Sequence, residues 1–430
     1  MEKKLNQLRP VAGMIGVSTL ILFTASSVRH ILFQSTAFDL GIFDQAVYLI
    51  SQGKEPVTSI QGFHILGDHA AWIFYPLALL YKIYPSVYWL FTVQAIALAL
   101  AALPTWYLSL QAGLKESQAI AVVTTYLLYP LVFNANLFDF HPEVIAVPLI
   151  LSAILAARLN RIWWFCISII LVLGCKAVLS LTVAAMGVWL IIFEKRRFCG
   201  LLALAASVAW FFIATQSIIP HFSGAEAAAV GRYSYLGDSV LGIAKNLVLQ
   251  PNVILGKVFS LDNLGYLILL FAPVIWGFSF QGLTPLVAGI PCLALNILAD
   301  YQPQKDLIHQ YSLPLLPFLI LVVISTLSIG KGLVRKKRLI IIWSLVTFLS
   351  LAKFTHFGGK YLASLDTWAA TNAAIAQVKT QGSVYTTAQI STHLNHREFI
   401  YFTNANAPSI DLNTFEYVLL NVRHPGWSSN

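Results

Sequence analysis

Apolar runs of 15 to 23 residues, broken by short polar stretches, fill most of the first 356 positions. A helix needs ~20 mostly apolar residues to cross a bilayer. Runs of this kind lie near 11–33, 86–108, 118–134, 143–158, 162–176, 177–193, 198–219, 263–279, 281–299, 313–330 and 339–356. The pattern predicts an all-α polytopic membrane protein with about eleven transmembrane helices. The two runs meeting at Lys176 are short for full spans. The run at 69–84 contains Pro76, Lys82 and several tyrosines, and reads as an interfacial or re-entrant helix.

Polar residues are concentrated in alternate loops. The first of these, 34–85, is long; 134–142 is short and acidic; 220–262 predicts a mobile loop followed by an amphipathic helix; 300–312 is the fourth. Beyond the last run, 357–430 alternates strand-like stretches (SVYTT, EFIYF, YVLLN) with polar turns, and a short helix is expected near 387–394. The expected organisation is a membrane domain over 1–356 and a small α/β cap over 357–430.

Composition removes the alternatives. Hydrophobic residues make up 58% of the 430 positions, charged residues 10%, and mean hydropathy is +0.73. A soluble domain covers its surface with about 25% charged residues, and a disordered chain is far less apolar. The net charge of +9 reads as membrane orientation rather than nucleic-acid binding. With the N-terminus in the cytoplasm, the inner segments hold Lys3, Lys4, Arg9, Lys115, Arg158, Arg161, the 195–197 triplet, Lys331 and the 335–338 cluster, and carry a net charge of +11 against −2 outside. Short cytoplasmic loops are enriched in Lys and Arg. The expectation is a multi-pass protein of the plasma (inner) membrane, N-terminus cytoplasmic and C-terminus outside. Ala25, Ser26 and Ser27 resemble a signal-peptide cleavage region, but the apolar run continues through Phe33, which favours an uncleaved anchor. Cys166, Cys175, Cys199 and Cys292 lie in or beside apolar runs without metal-ligand spacing and read as buried small hydrophobes.

Candidate chemistry gathers in the outer segments. In FDLGIFDQ, Asp39 and Asp44 follow the first span; apolar positions at helical spacing predict a helix along the outer membrane surface. Five residues apart, the two acids point about 140° from one another, so they form no paired site. Asp39 as a helix cap and Asp44 on the wet face is the structural alternative. LGDHAAW carries Asp68 and His69, with Asp68 as an N-cap the alternative. NLFDFHPE puts Asp139, His141 and Glu143 within five residues at a helix start. If that turn is helical, Asp139 and Glu143 share a face. Lys176 sits at the outward tip of a helical hairpin in this topology. A charge at membrane depth costs ~2.5–3.5 kcal/mol on insertion scales, so it faces a cavity or partner, or snorkels to the interface. KDLIHQYSLP contributes His309 and Tyr311, and the third outer loop Arg232. No Walker loop, dinucleotide fingerprint or HExxH motif occurs, so nucleotide chemistry on the inner face has no support.

Taken together, FDLGIFDQ, LGDH, NLFDFHPE, the isolated Lys176 and IHQYSLPLLPF resemble, in order and spacing, a bacterial family of multi-spanning proteins known as domain of unknown function 2079. The resemblance covers roughly residues 15–400. In this chain Lys176 is followed by Ala177 and Val178, where the family usually carries acids. That family looks like a distant member of the GT-C glycosyltransferase superfamily, which implies many spans, a long first outer loop with an essential acid near its start, and an outer C-terminal segment. It further implies inverting transfer of a sugar from a polyprenyl-phosphate donor in the membrane to an outer-face glycan, lipid or protein acceptor. Asp39 is then the expected base, with Lys176 and Arg232 neutralising the departing lipid phosphate. Asp44, Asp68, His69, Asp139, His141, Glu143, His309 and Tyr311 complete the expected substrate-binding set. The acids would also suit a divalent cation such as Mg²⁺ or Mn²⁺, although no spacing requires one. The competing expectation is a transporter or flippase for a lipid-linked or amphiphilic solute. Transport calls for polar groups near the membrane midplane, whereas the ionisable groups here lie at one end.

Overall fold

The computed structural model describes residues 2–404 and 410–429. Among the described residues six helices are long and apolar enough to cross a membrane: Leu8–Ile31, Tyr88–Gln111, Glu116–Phe138, Arg197–Ser223, Gln310–Ser328 and Lys337–Ile375. A seventh candidate, Pro251–Val258 with Leu261–Phe271, is bent by 56° at its break. The remaining predicted runs form shorter helices, Glu143–Arg158, Ile162–Cys175, Leu179–Ile192 and Leu286–Leu298. At ~1.5 Å per residue, the 14 residues of each helix flanking Lys176 fall short of the ~30 Å hydrocarbon core. The last helical stretch runs on to Ile375, past the expected boundary at 356.

Hydrogen bonds between loops sort the bundle ends. Arg158 forks onto Glu194 at 2.9 and 2.8 Å and reaches Gln111 at 3.3 Å, while Arg196 bonds Asn160 at 2.7 Å. The helices flanking Lys176 therefore begin and end on one face and form the predicted hairpin. Helices Glu116–Phe138 and Lys337–Ile375 run parallel, joined by Thr125 to Ser344 at 3.0 Å and Lys353 N–H to Asn134 at 2.8 Å. Ser26 bonds the carbonyl of Asn136, and Asn136 bonds that of Leu22, so the first helix ends where Glu116–Phe138 ends. These pairings place the basic loops at one end of the bundle and the long polar segments at the other. A close helix crossing lies between Leu179–Ile192 and Arg197–Ile213: a Cβ on Gly187 would sit 2.7 Å from the Gly200 carbonyl oxygen. Only small residues permit that approach.

The first long loop departs from the expected surface helix. It holds a single π-turn, Ala37–Gly41, followed by helix Ile42–Ser51, which is buried along most of its length. Helix Phe74–Ile83 packs on one side, and the C-terminal segment covers another. There Gln45 Nε2 donates to the carbonyls of Arg397 and Glu398, both at 3.1 Å, and the Ser59 hydroxyl to Glu398 at 2.8 Å. Among its described residues the C-terminal segment carries three short strands, β1 (Val384–Thr386), β2 (Ile400–Phe402) and β3 (Tyr417–Val418), all parallel in the order β2-β1-β3. Helix Ala388–Ser391 links the first two. Val384, Ile390, Leu394 and Ile400 form its small core.

Candidate active site

A cavity of about 1360 Å³ opens at the loop-rich end of the bundle. Its wall includes Asp39, Asp68, His69, His141, Glu143, Lys176, Arg232, His309 and Tyr311. Nine of the eleven predicted site residues thus share one space, although they come from segments up to 272 positions apart. Asp44 and Asp139 are not part of that wall.

Asp39 projects from the π-turn, where its Oδ1 lies 3.1 Å from His141 Nε2 and its Oδ2 lies 3.1 Å from the Thr36 hydroxyl. His141 Nδ1 lies 3.2 Å from the Asp139 carbonyl oxygen. A carbonyl oxygen only accepts, so Nδ1 carries a hydrogen and Nε2 is left to share a proton with the Asp39 carboxylate. Burial alone would raise the Asp39 carboxyl. The hydrogen bond and charge of His141, with help from Thr36 and Lys176, outweigh it and hold the group below its ordinary value. The side chain keeps 27% of its surface open to the cavity. The result is an anionic oxygen pair, oriented by a buried imidazole and accessible to a ligand.

The turn carrying His141 is not helical. Asp139 has φ +117°, a conformation costly for a residue with a Cβ, and helix Glu143–Arg158 starts only four positions later. Asp139 and Glu143 therefore do not share a face. Asp139 turns away from the cavity to Arg29 Nη2 at 3.2 Å and the Thr36 N–H at 2.9 Å. Arg29 also donates to the Leu137 carbonyl and, at 2.9 Å, to that of Gln34. Burial pushes the Asp139 carboxyl up to about 6 despite the neighbouring guanidinium. The Thr36 hydroxyl lies 3.0 Å from Asp139 Oδ2 as well as 3.1 Å from Asp39, one hydroxyl hydrogen between two carboxyl groups. The strained residue thus anchors the turn that aims His141, and lies off the cavity wall.

Glu143 turns into the cavity and receives Lys176 Nζ at 2.6 Å, with side chains only 5% and 7% exposed. The partner that Ala177 and Val178 do not supply comes instead from another helix. Lys176 sits in extended backbone between its two helices, held by bonds to the first loop: Ala177 N–H to the His69 carbonyl at 2.9 Å and Ile73 N–H to the Gly174 carbonyl at 3.0 Å. A Cβ on Gly174 would stand 2.4 Å from the Trp72 ring, so this contact demands glycine. Asp68 lies within the one-turn helix Leu66–His69, not before it, and does not act as the expected cap. His69 Nε2 is 3.4 Å from Asp68 Oδ2. Burial raises the Asp68 carboxyl and lowers the His69 imidazole well below its usual value, each shift disfavouring the charged form.

Arg232 lies across the cavity. It donates to Gln304 Oε1 at 3.0 Å and the Tyr311 hydroxyl at 3.2 Å, and stacks on the Tyr301 ring. Among the described residues it has no carboxylate within ion-pair distance, so its charge is not cancelled locally. His309 is held by Asp306 at 2.8 Å and packs edge-on against Phe138, which also stacks on His141 and lies under the Arg29 guanidinium. Asp44, expected on a wet face and among the substrate ligands, is buried. It accepts from the Tyr81 hydroxyl at 2.7 Å and lies 3.1 Å from His396 Nε2, because the C-terminal segment closes over its helix. Among the described residues no three His, Cys, Asp or Glu side chains converge as a metal site, and Lys176 and Arg29 already pair with two of the acids proposed as cation ligands. Sequence reasoning missed Arg29, Thr36 and Gln304. Arg29 had a signal, a charge at the end of an apolar span; the neutral residues had none.

The family described as "Predicted membrane protein (DUF2079)" matches residues 29–430, and the chain belongs to it. No curated protein matches the sequence. Among solved structures, the chain is similar to the crystal structure of ArnT from Cupriavidus metallidurans bound to undecaprenyl phosphate, with a TM-score of 0.52 and 13% identity over 93% of this chain and 87% of that one. ArnT is a GT-C glycosyltransferase, and the fold of this chain is of that type.

Proposed function

We propose that this protein transfers a sugar from a polyprenyl phosphate to an acceptor hydroxyl with inversion at the anomeric carbon. The observation that carries the reading is the placement of the Asp39–His141 pair on one cavity with the uncancelled guanidinium of Arg232. The ArnT neighbour, bound to undecaprenyl phosphate, supports the choice of donor class. In this reading Asp39 accepts the acceptor's O–H proton as that oxygen attacks the anomeric carbon. The bond from that carbon to the phosphate oxygen breaks, and the polyprenyl phosphate leaves with the electron pair. Arg232 stabilises the charge that grows there. Lys176, already paired with Glu143, is assigned to positioning, and the phosphate role passes mainly to Arg232. His141 holds the carboxylate in line, and Asp68, His69, His309 and Tyr311 shape the remaining wall. Phe212 and Leu241 line the same cavity and are more than half exposed, an apolar flank suited to a lipid chain. The basic end of the bundle faces the cytoplasm by the positive-inside rule, which opens the cavity to the outer side, where a glycan, lipid or protein acceptor would be met.

Mass spectrometry of lipid extracted from the purified full-length protein tests the donor. A polyprenyl phosphate or its sugar ester is expected. Ordinary phospholipid alone, together with no saturable binding of added undecaprenyl phosphate, would sink the reading. Asp39→Asn should lower transfer by roughly 10²–10⁴-fold, the usual contribution of a general base, while leaving lipid binding intact.

A further inference from the structure

Among the described residues, Glu143 and Gln310 each hold on the cavity wall a buried oxygen acceptor that has no protein partner. Glu143 gives Oε1 to Lys176, but its Oε2 makes no hydrogen bond; Gln310 Oε1 makes none either. Each residue is only 4% exposed, and both line the cavity. The helix starting at Glu143 packs against the 3₁₀ segment Gln310–Leu315, so the two acceptors come from adjoining walls. An unsatisfied buried acceptor lowers stability, and a charged one more so. A ligand that brings O–H donors to this place removes that penalty on binding.

We infer that Glu143 Oε2 and Gln310 Oε1 form a subsite for the hydroxyl groups of an uncharged sugar, the group transferred in the reaction proposed above. Charge selects the class. The Glu143 carboxylate already has its cation at 2.6 Å, so a second ammonium at this point would bring an unmatched positive charge, whereas a hydroxyl donates without one. A phosphate is excluded by the same oxygens, which offer it only lone pairs. Chain neighbours of both residues belong to the proposed reacting centre. Gln310 is adjacent to Tyr311, whose hydroxyl bonds Arg232, and Glu143 is two residues from His141, the partner of Asp39. The sugar would therefore lie between the phosphate's guanidinium and the base.

The inference rests on the polyprenyl-phosphate reading, and binding measurements separate the two. Full-length protein in nanodiscs is titrated with undecaprenyl phosphate, with its glucosyl and mannosyl phosphodiesters, and with the glucosaminyl phosphodiester. At least one neutral hexosyl ester should bind about tenfold tighter than the bare phosphate, a difference of about 1.4 kcal/mol, and tighter than the amino sugar. Gln310→Leu should bring that ratio to within about twofold of unity without changing affinity for undecaprenyl phosphate; Glu143→Gln should lower the ratio as well where it folds. If bare phosphate binds and no hexose adds affinity, or if the gain survives Gln310→Leu, the sugar subsite is overturned. Preference for the amino sugar overturns the charge argument. If no undecaprenyl derivative binds, the donor reading itself falls.

Discussion

The Glu143–Lys176 pair offers a quantitative check on the cavity's electrostatics. The two side chains are 5% and 7% exposed and meet at 2.6 Å. Lys176→Met would leave the Glu143 carboxylate buried without a counter-charge, and Glu143→Gln would leave the ammonium alone. Breaking a buried pair by removing one partner costs about 3–5 kcal/mol; because both groups border a cavity, the lower end of that range applies. Replacing both partners removes both charges, so Glu143→Gln/Lys176→Met should cost no more than the milder single variant. The coupling energy is then about 3 kcal/mol, well above the few tenths that separate independent sites. The assay is reversible unfolding of the four proteins in mixed detergent micelles, with midpoints converted to free energies under one set of conditions. If the double variant loses the sum of the two single losses, the residues do not pair. The hairpin tip would then lie elsewhere.

Other consequences are open to direct measurement. The Asp139 carboxyl is raised to about 6 from 3.8. Its contribution to stability is therefore full below its unfolded value and is lost as pH rises through about 6, some 3 kcal/mol at ~1.4 kcal/mol per pH unit. Relative to Asp139→Asn, the thermal midpoint of the wild type should fall between pH 4 and pH 7; a flat difference would refute the assignment. His141→Ala removes what holds the Asp39 carboxyl down and leaves burial to raise it, so the acid limb of the transfer rate should move to higher pH. An unchanged limb separates His141 from Asp39. Gly174→Ala must displace the Trp72 ring from 2.4 Å, costing about 1–3 kcal/mol as overpacking does, and should be partly rescued by Trp72→Phe.

The helices were legible because a lipid-facing helix needs an unbroken apolar run, and each run became helical, although among the described residues only six, or seven with the bent pair, are long enough to cross a membrane. Strand positions in the C-terminal segment were legible for the same local reason: SVYTT, EFIYF and YVLLN contain β1, β2 and β3. Even the side of the bundle that carries each basic residue follows from counting spans. Candidate acids and cations could be named, since a charge in so apolar a chain must have a reason to be there. Their partners could not. That His141 faces Asp39, that Glu143 rather than a neighbour of Lys176 supplies the carboxylate, and that Asp44 and Asp139 leave the cavity are outcomes of where distant segments meet. A positive φ at Asp139 and a cap folded over Ile42–Ser51 decide the last two. Hydropathy is a property of each residue in its own neighbourhood and survives in a one-dimensional reading. An ion pair is a property of two side chains within ~4 Å, and only the folded packing sets that distance.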